Sequence, residues 1–382
     1  MIYADYAATT PLRPEVLEAM LPYLQNQFGN PSSSHRAGRG AKIAIETARE
    51  QAAKYLHASV QEIFFTGGGT ESDNWALEAA AEEMLSKGKN HLVTTRFEHP
   101  AVLETCRHLT RWGIDVSYVT PEPDGRVTPE AVKAAVTNQT GLISVMYVNN
   151  EVGTIQPVAE IGTFCREKGI LFHTDAVQAG GNLPIDVNRI NADLLSLSGH
   201  KLGAPKGIGL LYVRQGLKLT PFLHGGGQEH GKRSGTENVP GIVGFGKALE
   251  LVEETLPDKI KRISPLRDRL EQEILTIPGA KINGAGPRIC SVCNVSFSGV
   301  EGEAVVLSLD RKGICVSSGS ACSSCGGTPS HVLQSMGLTE ELAKASVRVS
   351  LGEEHTIEDV FKISGELSRT VAQLKELFGT NR

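Results

Sequence analysis

The chain has 382 residues, 40% of them hydrophobic: enough for a sizeable core and, at about 100–200 residues per domain, for two domains. A net charge of −5 without any block of like charges argues against nucleic-acid or anionic-membrane binding. No apolar run approaches the roughly 20 residues a bilayer requires, and the start, Met1-Ile2-Tyr3-Ala4-Asp5, lacks the basic region and apolar core of a secretory signal.

From Pro14 to Val213, helical and strand patterns alternate. Val16, Leu17, Met20, Leu21 and Leu24 mark a helix, and Ala41, Ala44, Ala48, Ala52 and Tyr55 mark another. Short apolar runs follow at 62–65, 91–95, 116–119, 141–147, 170–172, 194–197 and 208–213, with helical stretches at 74–85, 129–136 and 158–168 between several of them. This alternation predicts an α/β fold, a mostly parallel central sheet covered on both faces, with ligands at the carboxyl ends of its strands. A long helical pattern at 240–275 reads as broken by Pro257 and Pro265, a crossing between domains. Beyond it lie a strand at 294–298, a Ser/Gly/Cys/Ala-rich stretch at 317–330, and a last amphipathic helix. Val360, Ile363, Leu367, Val371, Leu374 and Phe378 form that helix's stripe.

The strand ends carry the chemistry. After the first run comes Thr66-Gly67-Gly68-Gly69-Thr70-Glu71-Ser72, opening a helix. Glycines admit a ligand to the backbone and a helix start offers free N–H groups, so this reads as a phosphate cradle or simply as a tight connection. Gly226 to Lys232 imitates a nucleotide loop, but Arg233 stands where a magnesium-binding hydroxyl is needed. Asp175 follows the run at 170–172, and Lys201 follows the run at 194–197 in the same layer. A carboxylate for a pyridinium nitrogen and a lysine for a Schiff base are the two groups pyridoxal phosphate most needs. A buried Asp–Lys ion pair is the competing reading.

The order of motifs along the chain separates them. Asp5-Tyr6-Ala7-Ala8-Thr9-Thr10, Phe28-Gly29-Asn30-Pro31-Ser32-Ser33, Gly69-Thr70-Glu71-Ser72, Glu98-His99 and Asn149-Asn150-Glu151-Val152-Gly153 come first. His173-Thr174-Asp175-Ala176, Ser198-Gly199-His200-Lys201, Arg233-Ser234-Gly235-Thr236-Glu237-Asn238 and Ser317-Ser318-Gly319-Ser320-Ala321-Cys322 follow. Together they resemble the class-V aminotransferase-like cysteine desulfurases, group I, which includes the nitrogen-fixation and iron–sulfur-cluster types. The resemblance implies a fold-type I pyridoxal-phosphate enzyme with a large cofactor-binding domain, 15–255, and a smaller α/β domain made of 1–14 and 256–382.

It also implies roles. Lys201 would anchor the cofactor and move protons, Asp175 would keep its ring nitrogen protonated, and His99 would stack on the ring. Gln178 and Asn150 would lie near the phenolic oxygen. Gly69, Thr70, Ser198 and His200 would hold the phosphate, joined by Thr236 from the other subunit of a homodimer. Arg348, with Asn150, would bind the L-cysteine substrate, its fork suiting the carboxylate. Cys322 would take the sulfur as a persulfide and pass it to an acceptor or iron–sulfur scaffold protein. No resident metal is implied, only a transient cluster contact through Cys322, and a cytoplasmic location is expected.

Seven cysteines in a chain of this kind read as reduced thiols. Cys290 and Cys293, with Cys322 and Cys325, have structural-zinc spacing, but zinc would trap the thiol that catalysis must release. A zinc-clasped scaffold is therefore the rival to a sulfur-mobilising enzyme. Cys325 has no role in the family pattern, and attack by it on the Cys322 persulfide would leave a disulfide. Cys106, Cys165 and Cys315 read as packing residues.

Overall fold

The computed structural model describes residues 1–318 and 328–379, the last two by backbone alone. Among these residues the strands are β1 (Ile2–Tyr3), β2 (Ile63–Thr66), β3 (His91–Thr95), β4 (Asp115–Val119), β5 (Thr140–Ser144), β6 (Leu171–Asp175) and β7 (Leu194–Ser198). They continue with β8 (Gly209–Val213), β9 (Ala280–Ile282), β10 (Val292–Phe297), β11 (Ile314–Cys315), β12 (Ser317–Ser318) and β13 (Ser346–Ser350). β1 pairs in parallel with β11.

The seven-stranded sheet has the order β2-β8-β7-β6-β5-β3-β4, and only β8 runs against its neighbours. Both faces are covered, which is why strands such as Leu-Leu-Ser-Leu-Ser in β7 are buried throughout. On one face Trp75, Met84 and Cys106, from the helices Gly69–Ser86 and Pro100–Leu109, pack against Leu92, Leu142, Leu194 and Leu211. On the other, Ala48 and Phe245, from Arg36–Leu56 and Val239–Leu275, share a core with Ile143, Phe172, Leu195 and Tyr212. The expected mostly parallel, doubly covered sheet is therefore present.

A second, antiparallel sheet has the order β12-β13-β10-β9. Its core joins Phe297, Val347 and Val349 to Leu309 and to Val360, Ile363, Leu367, Val371 and Leu374 of the last helix. Those five are the expected stripe; the side chain of Phe378 lies outside the described residues. Cys290 and Cys293 are buried in the same core, Cys106 and Cys165 are buried in the cores on opposite faces of the seven-stranded sheet, and Cys315 is partly covered.

Three local expectations are corrected. The helix Val239–Leu275 runs unbroken through Pro257 and Pro265. Both prolines are exposed, and so are Glu253 and Lys261, four residues before each. The carbonyls that lose an N–H partner thus face water, which lowers the usual cost of an interior proline. The helix expected at 74–85 begins at Gly69, so the glycine loop contributes its first turn. The run 141–147 leaves the strand after Ser144, because the Met146 N–H turns to the carboxylate of Glu98 at 2.9 Å. No helix among the described residues is long and apolar enough to cross a membrane.

Candidate active site

β6 and β7 are parallel neighbours, so their carboxyl ends lie side by side. Asp175 ends β6 and is 5% exposed, its Oδ1 accepting the Val177 N–H at 2.9 Å. Burial raises this carboxyl, while His99, the Val177 N–H and Lys201 draw it back towards the ionised form. β7 ends in Ser198 and passes into the turn Gly199–Lys201. There the Lys201 ammonium donates to the Ala7 carbonyl at 2.5 Å and the Ala8 carbonyl at 2.8 Å. His99 caps the helix Pro100–Leu109, its Nδ1 accepting the Ala101 N–H at 3.1 Å. Burial lowers the His99 imidazole and, with help from Lys201, holds His200 down at about 4.

The glycine loop closes a further side. Gly68 adopts φ +155°, and a Cβ on Gly69 would lie 2.8 Å from Val177 Cγ2, so this helix start admits little beyond backbone. Opposite, Arg348 rises from β13 of the small sheet. Its Nη2 donates to Asp5 at 2.8 Å and its Nη1 to the Asn150 carbonyl at 2.9 Å, while its buried Nε has no partner. The segment after β1 completes the wall: Gln178 Nε2 donates to the Ala7 carbonyl at 2.8 Å, and Ser350 Oγ accepts the Ala7 N–H at 2.9 Å.

These side chains enclose one cavity of about 310 Å³. Gly69, Thr70, His99, Asn150, Asp175, Gln178, Ser198, His200, Lys201 and Arg348 all line it. Thr236 does not; it is exposed on the segment that the Arg233–Glu71 ion pair, at 2.8 Å, ties to the glycine loop. Cys322 and Cys325 lie outside the described residues.

The fold also brings in acids that the motifs did not single out for chemistry. Asp73 lines the cavity one helical turn beyond Gly69, and an i, i+4 spacing within that helix was the signal for it. Glu98 accepts from Thr95 Oγ1 at 2.7 Å as well as from Met146, and burial pushes it up from 4.5 to about 8. Glu151, holding Ser330 at 2.5 Å, is pushed by burial to about 7. A raised folded-state pKa means that folding takes up a proton. The stability from Glu98 is thus complete below about pH 4.5 and lost as pH rises through about 8. Urea midpoints of the wild type should fall across this window, and Glu98→Gln should make the fall shallower, most clearly above pH 7, where Glu151 has already titrated. Parallel curves for the two proteins would show Glu98 to be ionised in the fold.

The class-V aminotransferase family model matches residues 2–363. The chain is 48% identical to the cysteine desulfurase IscS of Methanosarcina thermophila over 98% of this chain and 93% of that protein. This chain belongs to the class-V aminotransferase family, among its cysteine desulfurases. An IscS of Clostridium botulinum strain Hall is also 48% identical, over 98% of this chain and 96% of its own length. Among solved structures, a NifS-like protein superposes on this desulfurase with a TM-score of 0.91 at 38% identity, covering 98% of this chain and 100% of that one. A structure described as SspA in complex with cysteine has a TM-score of 0.82 at 40% identity, covering 92% and 99%. The expected family is the observed one.

Proposed function

We propose that this enzyme removes sulfur from L-cysteine with pyridoxal phosphate held in the 310 Å³ cavity, yielding L-alanine and a persulfide on Cys322. The observation that carries the reading is the convergence of Asp175, His99 and Lys201 on one buried cavity that Arg348 also lines. The donor set suits the cofactor: a buried carboxylate, an imidazole, a lysine, and a helix start where a side chain at Gly69 would collide with Val177. When bound, pyridoxal phosphate supplies an electron sink beside the substrate's Cα.

The protein's own groups do the rest. Lys201 would hold the cofactor covalently and move the proton at the substrate's carbon. Asp175 would keep a proton on the ring nitrogen, and His99, Gln178 and Asn150 would hold the ring. Gly69, Thr70, Ser198 and His200 would hold the phosphate together with Thr236 from a second copy of the chain, which would make the working unit a two-fold dimer. Arg348 binds the substrate carboxylate. The Cys322 thiolate then attacks the substrate's sulfur; the S–S bond forms as the C–S bond breaks, and alanine leaves. The persulfide goes on to an acceptor protein, such as an iron–sulfur scaffold or a thiolation carrier.

The test is Cys322→Ala. The variant should bind pyridoxal phosphate and turn yellow like the wild type, yet release no sulfide from cysteine above background. Normal sulfide release would remove the persulfide step, and a colourless wild type would remove the cofactor.

A further inference from the structure

Arg348, the proposed partner of the substrate carboxylate, is held from behind the cavity wall. Arg348 lines the cavity and Asp5 does not. The arginine side chain is only 3% exposed, and its Nη2 meets Asp5 Oδ1 at 2.8 Å. Its Nη1 donates to the Asn150 carbonyl at 2.9 Å. One hydrogen bond would leave the planar guanidinium free to turn about it. Two, reaching it from separate segments of the chain, fix its plane. Each terminal nitrogen still carries a second N–H, so the fork can take a carboxylate without giving up either tie.

The backbone builds the contact in. Asp5 forms a parallel bridge with Ser350 at the end of β13, the strand that carries Arg348. The Ser350 N–H donates to the Ala4 carbonyl at 2.8 Å, and the Ala4 N–H donates to the Cys315 carbonyl at 2.8 Å. The Tyr3 hydroxyl reaches the Asp5 carbonyl at 3.2 Å and the Thr9 carbonyl at 3.0 Å. Alternate residues of a strand share a face, so pairing the chain start with Ser350 brings the Asp5 carboxylate beside the Arg348 guanidinium.

We infer that Asp5 is a positioning residue for substrate binding: its carboxylate fixes the Arg348 fork in the plane that receives the carboxylate of an α-amino acid. Asp5 acts through Arg348 and does not touch the substrate. An acid inside the cavity would compete with substrate for the guanidinium, whereas one behind the wall aims it. The inference rests on the proposed role of Arg348.

Steady-state kinetics and absorbance titrations of the holoenzyme test it. Asp5→Ala should raise the KM for L-cysteine about tenfold, the upper end of what ordering one long side chain costs at binding, and leave kcat near the wild-type value. L-Alanine, followed through the bound cofactor's absorbance, should bind more weakly by the same factor. Cysteamine, which has the amine and the thiol but no carboxylate, should bind both proteins equally, a result that general damage to the cavity would not give. Asp5→Asn should recover most of the affinity, because its amide oxygen can accept the same N–H. A KM unchanged in Asp5→Ala would overturn the inference by showing the residue idle, and a lower KM by showing that Asp5 competes with substrate for Arg348. Equal weakening of L-alanine and cysteamine, loss of the cofactor, or Asp5→Asn no better than Asp5→Ala would overturn it as well. Arg348→Ala separates the two readings. If it leaves the KM for L-cysteine unchanged, the proposed role of Arg348 fails and takes this inference with it. If it raises the KM and Asp5→Ala does not, this inference alone is lost.

Discussion

Lys201→Ala is expected to lower cysteine desulfuration by about 10⁴-fold, the upper end of what a positioned proton-transfer group contributes. Borohydride reduction of the wild-type holoenzyme, followed by peptide mapping, should place the pyridoxyl group on Lys201. The geometry leaves the other nearby lysines poorly suited. Lys206 is exposed and off the cavity wall, and Lys232 donates to the Leu219 carbonyl at 2.8 Å. The turn that presents Lys201 is itself tightly built: a Cβ on Gly199 would lie 2.7 Å from Ile208 Cγ2. A pyridoxyl group on Lys206 or Lys232, or near-normal turnover by Lys201→Ala, would overturn the assignment.

Glu229→Ala is expected to destabilise the protein by about 3–5 kcal/mol, the cost of stranding one member of a buried ion pair. Glu229 and Arg49 are 6% and 2% exposed, and both carboxylate oxygens meet the guanidinium at 2.8 Å. The same carboxylate accepts the Phe65 N–H at 2.9 Å, and Arg49 donates to the Ile63 carbonyl at 2.8 Å, so β2 depends on the pair. Glu229 and His230 also sit in the left-handed region at φ 45° and 58°, a strained backbone that this anchoring holds in place. Denaturant unfolding of the variant and wild type checks the figure. A difference below about 1 kcal/mol, the range of an exposed pair, would show the site to be wet.

The parallel sheet and the residues at its strand ends were legible because the physics is local. Buried parallel strands read as short apolar runs, and whatever follows them must face the ligand edge, which located Asp175 and Lys201. Arg348 was not legible in that way. It lies in a sheet of its own, and only the family pattern pointed to it. Asp73 was hidden because the helical pattern was read from residue 74, so its place one turn beyond Gly69 did not show. Glu98 and Glu151 stood inside quoted motifs, but their near-neutral titration comes from burial, which spacing does not reveal. Pro257 and Pro265 misled for a related reason: proline's cost depends on whether the carbonyl it strands faces protein or water, and the helix Val239–Leu275 turns both to water.

The contact between Arg348 and Asp5 spans 343 positions of sequence, and the Ala7 N–H meets Ser350 across the same distance. A chain made from its amino end therefore holds its first wall of the cavity for almost the whole of synthesis before the opposite wall exists. Most of the large sheet can form while translation continues, whereas the cavity closes only once residue 350 has cleared the ribosome. A ribosome stalled earlier would carry a chain with much of its sheet folded and its active site still open, so a complete cavity belongs only to a nearly finished chain.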